Sequence, residues 1–98
     1  MTFTVAGEGT GTVTVAISGE LDIAGIAELD RAVRPALAAT PERLVLELAG
    51  LRFADSSAIA LWVRWAAEVG ALELRDVSSL LRSVITTMGL ASTLRVAS

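Results

Sequence analysis

The sequence contains no cysteine, no histidine and no lysine. Without cysteine the chain can form no disulfide and has no thiol for redox chemistry. Without histidine it lacks the commonest general base, and only carboxylates are left as side-chain ligands for a metal ion. The eight basic residues are all arginine and form no basic run, and the formal net charge is -3. We therefore expect no thiol chemistry and no binding to nucleic acid.

Long apolar runs are also missing. No apolar stretch approaches the ~20 residues of a membrane-spanning helix, and no basic and apolar signal segment opens the chain. We expect no direct insertion into a membrane and a location in the cytoplasm. The 98 residues give room for one domain, and the apolar content of 53% is enough to form a hydrophobic core.

The stretch from residue 44 to residue 62 is the most informative part of the sequence. The run Leu44–Leu48 is apolar apart from one glutamate and predicts a buried central strand, and the apolar residues that begin at Ala58 predict a helix. Between them lies Asp55-Ser56-Ser57. Short oxygen-bearing side chains at the start of a helix are usually caps that accept hydrogen bonds from first-turn amides. The alternative is that one serine hydroxyl is the functional group.

The segments before this stretch predict a hairpin and a helix. Thr2–Val5 and Thr12–Ser18 alternate with period two and are joined by a segment rich in turn residues, which predicts a β-hairpin. Apolar residues at helical spacing, from Ile26 to Leu37, predict an amphipathic helix of about four turns. Pro35 lies inside this helix and removes one backbone donor, so we expect a kink or an early stop near Arg34.

The second helix is expected from about Ser57 to Val69, with Gly70 placed to end it. Only two charged residues interrupt its apolar surface, so either both faces are covered or one face awaits a partner. Trp62 and Trp65 share a face of this helix because they are three residues apart. We expect at least one of them to be buried and Trp62 to be the partner contact.

After this helix, Leu72–Arg75 alternates as a strand, and Leu94–Val96 is expected to add a short edge strand. Between them Ser78 is placed to cap a third helix that Gly89 ends, and its apolar residues form one stripe comprising Leu80, Leu81, Val84, Ile85 and Met88. The order β-β-α-β-α-β-α-(β) predicts an α/β fold with a mixed sheet of four to five strands and about three helices.

Four pieces of the sequence resemble the STAS domain family in their order and spacing: Gly19-Glu20-Leu21-Asp22, the strand Leu44–Leu48, Asp55-Ser56-Ser57 at the start of a helix, and Met88-Gly89-Leu90. The resemblance covers nearly the whole chain and implies a single STAS domain over residues 1–98. It implies a small mixed sheet with helices packed mainly on one side. In the anti-sigma-factor antagonist branch of the family it also implies a switch, in which binding to an anti-sigma kinase frees a sigma factor.

In that branch the kinase phosphorylates the first serine after the aspartate, which corresponds to Ser56 here, and Ser57 is the less favoured acceptor. A phosphoserine carries about -1.5 to -2 charges, which would lie within reach of Asp55 and, in this fold, of Asp22. The partner would meet a dianion that it must desolvate, which weakens binding. The prediction is a switch and partner surface formed by Asp22, Asp55, Ser57, Ala58 and Trp62. A simpler role for Asp22, as the cap of the first helix through the amide of Gly25, is equally open.

A second branch of the family gives the alternative. The helix sequence from Ser57 to Trp65 resembles the STAS subunit of bacterial phospholipid-transport ABC complexes, and Ala58 stands where the antagonist branch commonly has glycine. That branch implies docking on the ATPase of the transporter. The end of the sequence at Ser98, without a further helix, also favours it, whereas Asp22 favours the antagonist, which is our preferred interpretation.

Neither branch implies an enzyme. A serine nucleophile needs a base, and with no histidine or lysine only carboxylates remain; Asp55 is poorly placed to activate its neighbour Ser56. The sequence has no Gly-rich phosphate loop, so the kinase would supply the ATP. We therefore expect a non-enzymatic protein with no cofactor and no metal site.

Overall fold

The structure, a computed structural model, describes residues 1–97 of the chain. In chain order the elements are β1 (Thr2–Ala6), β2 (Thr12–Leu21), α1 (Ile23–Ala38), β3 (Arg43–Glu47), β4 (Leu51–Ala54), α2 (Ser56–Val69), β5 (Leu72–Arg75), α3 (Ser79–Thr87) and β6 (Arg95–Ala97). Within residues 1–97, none of the helices is both long enough and apolar enough to cross a membrane.

The strands of the described residues form one mixed sheet with the order β1-β2-β3-β5-β6, in which β4 pairs with the end of β2. β1 and β2 form the predicted antiparallel hairpin, and the other pairings are parallel. Parallel neighbours need crossover connections, and the helices supply them: α1 connects β2 to β3, β4 and α2 together connect β3 to β5, and α3 connects β5 to β6. The predicted α/β fold with a mixed sheet and three helices is confirmed.

β4 is a strand that the sequence did not predict. β2 has ten residues, but its pairing with β3 ends where Ala16 lies opposite Glu47. The remaining end of β2 would leave backbone groups without ladder partners, and β4 supplies these partners over residues 19–21. A register shift between Gly19 and Glu20 accompanies this pairing. The described part of the sheet therefore has six strands instead of four to five.

The core lies between one face of the sheet and the helices. The buried sheet residues on this face alternate along their strands and comprise Val13, Val15, Ile17, Leu44, Leu46, Leu72 and Leu74. They form one cluster with buried residues of all three helices, as expected for helices packed mainly on one side. β3 lies between β2 and β5, and Val45, on its other face, is buried as well. The predicted central strand, buried on both faces, is confirmed.

α1 continues past Pro35 to Ala38, so the early stop predicted near Arg34 is wrong. Pro35 has no backbone N–H and removes one hydrogen bond of the helix. The two residues that follow it, Ala36 and Leu37, are buried in the core. This tertiary packing outweighs the lost hydrogen bond, because most helical stability in proteins comes from the packing of an apolar face.

α1 and α2 pack against each other and share a polar cluster. Trp65 Nε1 donates a hydrogen bond of 2.8 Å to Asp30 Oδ1, and Arg34 donates one of 2.7 Å to the same oxygen. Arg34 also forms an ion pair with Glu68 on α2. Burial raises the pKa of Asp30, but the hydrogen bonds from Trp65 and Arg34 outweigh burial and hold this pKa below its ordinary value.

The predicted end of α2 and the predicted cap of α3 are confirmed, but the apolar stripe of α3 is only partly buried. Gly70 ends α2 with a left-handed φ of 80°, and Ser78 caps α3 by accepting a hydrogen bond of 3.2 Å from the Leu81 amide. Of the predicted stripe, Ile85 is buried and Leu81 is half-buried, but Leu80, Val84 and Met88 are exposed. α3 packs into the core through Ile85, and the rest of the stripe stays at the surface or only partly buried.

Candidate functional site

Two helices begin side by side at one end of the sheet. Leu21 and Ala54 are the last residues of β2 and β4 and lie opposite each other in parallel register. The aspartates that follow them, Asp22 and Asp55, are the N-caps of α1 and α2. Because the carboxyl ends of parallel neighbouring strands meet at the same edge, the register brings the two caps and both helix starts together.

Asp22 caps α1. Its Oδ1 accepts hydrogen bonds from the amides of Ala24 at 3.1 Å and Gly25 at 3.3 Å. The predicted cap interaction with Gly25 is therefore confirmed, and it stabilises the start of α1. Its carboxylate stays exposed. A role for Asp22 in a switch remains a proposal.

Asp55 caps α2 with a denser set of hydrogen bonds. Its Oδ1 accepts from the amides of Ser57 at 3.0 Å and Ala58 at 3.4 Å, and the Ser57 hydroxyl donates to the same oxygen. The hydrogen bond from the Ser57 hydroxyl is the main cause that lowers the pKa of Asp55. Burial opposes it, and the amides of Ala58, Ser57 and Ile23 lower the pKa further. The carboxylate is thus held in its charged form by both helix starts.

Ser56 differs from its neighbours. It is the first residue of α2, it is exposed, and its hydroxyl makes no hydrogen bond within residues 1–97. Asp55 is therefore the cap, Ser57 supports the cap, and Ser56 is the accessible hydroxyl of the triplet. The sequence left open which of the three residues caps the helix.

Two residues of the predicted partner surface are corrected by the structure. Ala58 and Trp62 are both 0% exposed, so neither presents a side chain to a partner. Trp65 is buried too. Helical periodicity turns these residues of α2 towards the sheet and α1, and the side of α2 that faces outward carries small or charged residues. The apolar docking face expected on α2 is therefore absent from the described structure.

An exposed apolar surface exists instead next to Ser56. A groove with a volume of about 290 Å³ lies between α3 and the segment formed by β4 and the start of α2. We call it the apolar groove; it is lined by Leu51, Arg52, Phe53, Ala54, Asp55, Ser56, Ile59, Ser78, Leu80, Leu81 and Val84. Phe53 is 52% exposed and Leu80 is 77% exposed. The sequence signal for this groove is the apolar stripe of α3, which was recognised in the sequence but not assigned to an exposed surface.

An acidic cleft lies on the other side of the paired helix starts. This acidic cleft is lined by Met1, Glu20, Asp22, Ala24, Gly25 and Glu28. The three carboxylates form no ion pair within residues 1–97. In the same part of the chain no group of three or more carboxylates is arranged to hold a metal ion.

Three solved structures that are similar to this chain are two structures of SpoIIAA and one of another anti-sigma factor antagonist. The anti-sigma factor antagonist SpoIIAA in its unphosphorylated form has a TM-score of 0.83 at 22% identity, covering 99% of this chain and 89% of that chain. The Bacillus cell fate determinant SpoIIAA in the phosphorylated form has a TM-score of 0.77 at 22% identity, with 99% and 92% covered. An anti-sigma factor antagonist from Mycobacterium paratuberculosis has a TM-score of 0.84 at 23% identity, with 97% and 83% covered. At these identities the likeness establishes the fold.

The family is identified by comparing the sequence with models of known protein families. No curated protein is similar enough in sequence to count as a relative. The family model described as "Mlab, STAS domain" matches residues 5–96, which is nearly the whole chain. The chain therefore belongs to the STAS domain family.

Proposed function

We propose that this protein is a regulatory binding module, an anti-sigma-factor antagonist that binds an anti-sigma kinase and is switched by phosphorylation of Ser56. The observation that carries the proposal is the exposed Ser56 hydroxyl, which is free of hydrogen bonds within residues 1–97 and lines the apolar groove. Ser57, the other acceptor considered, is already bonded to Asp55. SpoIIAA supports the proposal as an anti-sigma factor antagonist with structures in unphosphorylated and phosphorylated forms.

The charges around Ser56 give the physical basis of the switch. A phosphate there would add about -1.5 to -2 charges next to Asp55 and close to Asp22. The amides of Ser57 and Ala58 already bond the Asp55 carboxylate, so they are not free to bind the phosphate. Arg52, which also lines the groove, would offset only part of the added charge. A partner that covers the unmodified hydroxyl would have to desolvate this dianion, which lowers its affinity.

In this proposal the protein is the phosphoryl acceptor, and the kinase supplies both ATP and the catalytic groups. Asp55 is a weak base, because the hydrogen bond from the Ser57 hydroxyl and the surrounding amides hold its pKa below the ordinary value. It also accepts its hydrogen bonds from Ser57 and Ala58 and not from Ser56. We therefore assign no enzymatic activity to the chain, and we place it in the cytoplasm with its kinase.

The proposal is tested by phosphorylation of matched variants. Wild type, Ser56→Ala and Ser57→Ala are each incubated with the purified anti-sigma kinase and Mg-ATP, and the intact mass of each chain is measured. We expect wild type and Ser57→Ala to gain one phosphoryl group and Ser56→Ala to gain none. Modification of Ser56→Ala to the wild-type extent, or no modification of wild type, would contradict the proposal.

A second candidate function is favoured by the description of the family model, Mlab. Together with the helix sequence from Ser57 to Trp65, it supports a STAS subunit that docks on the ATPase of a phospholipid-transport ABC complex. In that case Ser56 lies in a docking surface, and its phosphorylation plays no part. Binding of wild type, Ser56→Ala and Ser56→Asp to the purified transport ATPase with equal affinity, without binding to the kinase, would favour this candidate.

A further inference from the structure

We infer that the apolar groove receives a large aliphatic side chain of the anti-sigma kinase, and that the acidic cleft receives an arginine or lysine from the same surface of that partner. The inference rests on the proposed function and adds to it the chemistry of the partner's binding surface. It is carried by the exposed apolar side chains of the groove, the excess of carboxylates in the cleft and the proximity of the two features.

The groove has the properties of a pocket for an apolar anchor. Ile59, which is buried, lies at its base, while Phe53 and Leu80 stand exposed at its margins. Val84, one turn after Leu80, is exposed on the same side of α3. Single exposed apolar residues are ordinary, but several of them around one concave surface mark an interaction site. Interfaces concentrate their binding energy where such an anchor fills such a pocket.

The acidic cleft specifies the charge of the partner. Glu20, Asp22 and Glu28 line it together with Met1, whose N-terminal ammonium is the one cationic group among the lining residues, so carboxylates outnumber cations three to one. Within residues 1–97 these carboxylates form no ion pair, in contrast to Asp30 and Glu73, which are paired with arginines. A partner with a basic side chain at this position supplies the missing charge and is steered towards the site.

The groove and the cleft lie next to each other. Glu20 of the cleft lies opposite Phe53 of the groove on the paired strands β2 and β4, which are ~4.8 Å apart in such sheets. The partner's basic and aliphatic side chains must therefore be neighbours on its surface. Ser56 lines the groove, so a phosphate on Ser56 would stand in the wall that the aliphatic side chain has to contact. The groove thus explains why modification at this residue would reduce partner binding.

The same charges disfavour a second copy of this chain as the occupant. A symmetric contact through the groove would place two acidic surfaces against each other, each with three carboxylates beside the contact. Like charges placed together at an interface are repulsive. The chain as a whole is also acidic, with a formal net charge of -3. A basic and apolar surface on a different protein is the complementary occupant.

The apolar part of the inference is tested with neighbouring substitutions on α3. Leu80→Asp places a carboxylate in the groove, and Ser79→Asp places the same charge one residue earlier, outside the groove lining. Both positions are exposed and lie in the first turn, where a negative charge is favourable to the helix, so both variants are expected to fold. We expect Leu80→Asp to lower affinity for the purified anti-sigma kinase at least tenfold and Ser79→Asp to change it less than about twofold.

The charge part is tested with two double variants of equal net charge. Glu20→Gln with Glu28→Gln neutralises the cleft, whereas Glu8→Gln with Glu42→Gln neutralises two exposed carboxylates at the other end of the strands. We expect only the cleft variant to slow association with the kinase and to weaken its dependence on salt. Equal association rates for the two double variants would overturn the assignment of a cation to the cleft.

The remaining outcomes separate this inference from the proposed function. If wild type binds the kinase and Leu80→Asp binds it equally well, the inference fails while the proposed function stands. If wild type does not bind the kinase, both fail. If wild type forms dimers that Leu80→Asp abolishes while kinase binding is unchanged, the occupant of the groove is a second copy, and the inference is overturned.

Discussion

The hydroxyl of Ser57 donates a hydrogen bond to the carboxylate of Asp55, the residue that caps the same helix. This contact distinguishes two adjacent serines that look equivalent in the sequence. Ser57 supports the start of α2, while Ser56 is exposed and its hydroxyl is free within residues 1–97. The structural role and the proposed regulatory role therefore fall on different residues and can be separated by mutation.

The two serines should differ in their contribution to stability. We expect Ser57→Ala to lower the free energy of unfolding by about 1 kcal/mol, because it removes a hydrogen bond to a charged cap. Ser56→Ala should change it by less than about 0.5 kcal/mol, since the side chain is exposed and unbonded. Urea unfolding of both variants checks this difference. A larger loss for Ser56→Ala than for Ser57→Ala would show that the cap is misassigned.

Asp30 should make the stability depend on pH. Its pKa is lowered in the folded chain: burial raises it, but the hydrogen bonds from Trp65 and Arg34 outweigh burial. A lowered carboxyl pKa contributes stability above the ordinary value of 3.8, and this contribution is lost as pH falls through the lowered pKa. We expect Asp30→Asn to be less stable than wild type at neutral pH and to approach it in acid.

The measurement for Asp30 is the free energy of unfolding from neutral pH down to about pH 2, where such carboxylates become protonated. Glu28→Gln serves as the control, because it removes an exposed carboxylate from the same helix. Wild type and Asp30→Asn curves that run parallel over the whole range would mean that the cluster with Trp65 does not control the titration of Asp30.

Trp62 should act on stability and not on partner binding. The ring is fully buried, so we expect Trp62→Ala to lower the free energy of unfolding by ~3–5 kcal/mol. Leu80→Ala, which also truncates a large apolar side chain but at an exposed position, should lower it by less than about 0.5 kcal/mol. Thermal unfolding of the two variants measures the contrast. Similar stabilities would place Trp62 outside the core.

Asp22 can be tested for a role beyond its cap. Asparagine caps helices about as well as aspartate but carries no charge. We expect Asp22→Asn to keep the stability of wild type and to reduce the loss of kinase affinity that phosphorylation of Ser56 causes, because one repelling carboxylate is gone. If the loss of affinity on phosphorylation is the same in both proteins, Asp22 is a cap and has no part in the switch.

Local sequence patterns predicted the elements whose causes are local. The apolar run of β3, the capping triplet before α2 and the glycine at position 70 each act within a few residues of the chain, although the pattern did not tell which residue of the triplet is the cap. The adjacency of Asp22 and Asp55 was foreseen only through the family resemblance, because it depends on the pairing of β2 with β4. β4 itself has four residues with no clear alternation, and a partner strand far away in the sequence determines it.

The errors came from packing that a sequence pattern does not reveal. The buried Ala36 and Leu37 carry α1 past Pro35, although the proline alone predicts a stop. The apolar surface of α2 suggested a docking face at Trp62, but the sheet and α1 cover that face. The stripe of α3 is typical of a buried face, yet only Ile85 is fully buried and Leu80 stays exposed. In each case the amount of surface available for burial decided the outcome.

The most direct test of the switch is the affinity of the unphosphorylated and Ser56-phosphorylated chains for the purified anti-sigma kinase, measured by calorimetry under the same conditions. We expect phosphorylation to weaken binding at least tenfold, because the partner has to desolvate a dianion in the wall of the apolar groove. Ser57→Ala, phosphorylated in the same way, should lose affinity to the same extent. Equal affinities of the two forms of the wild-type chain would contradict the account.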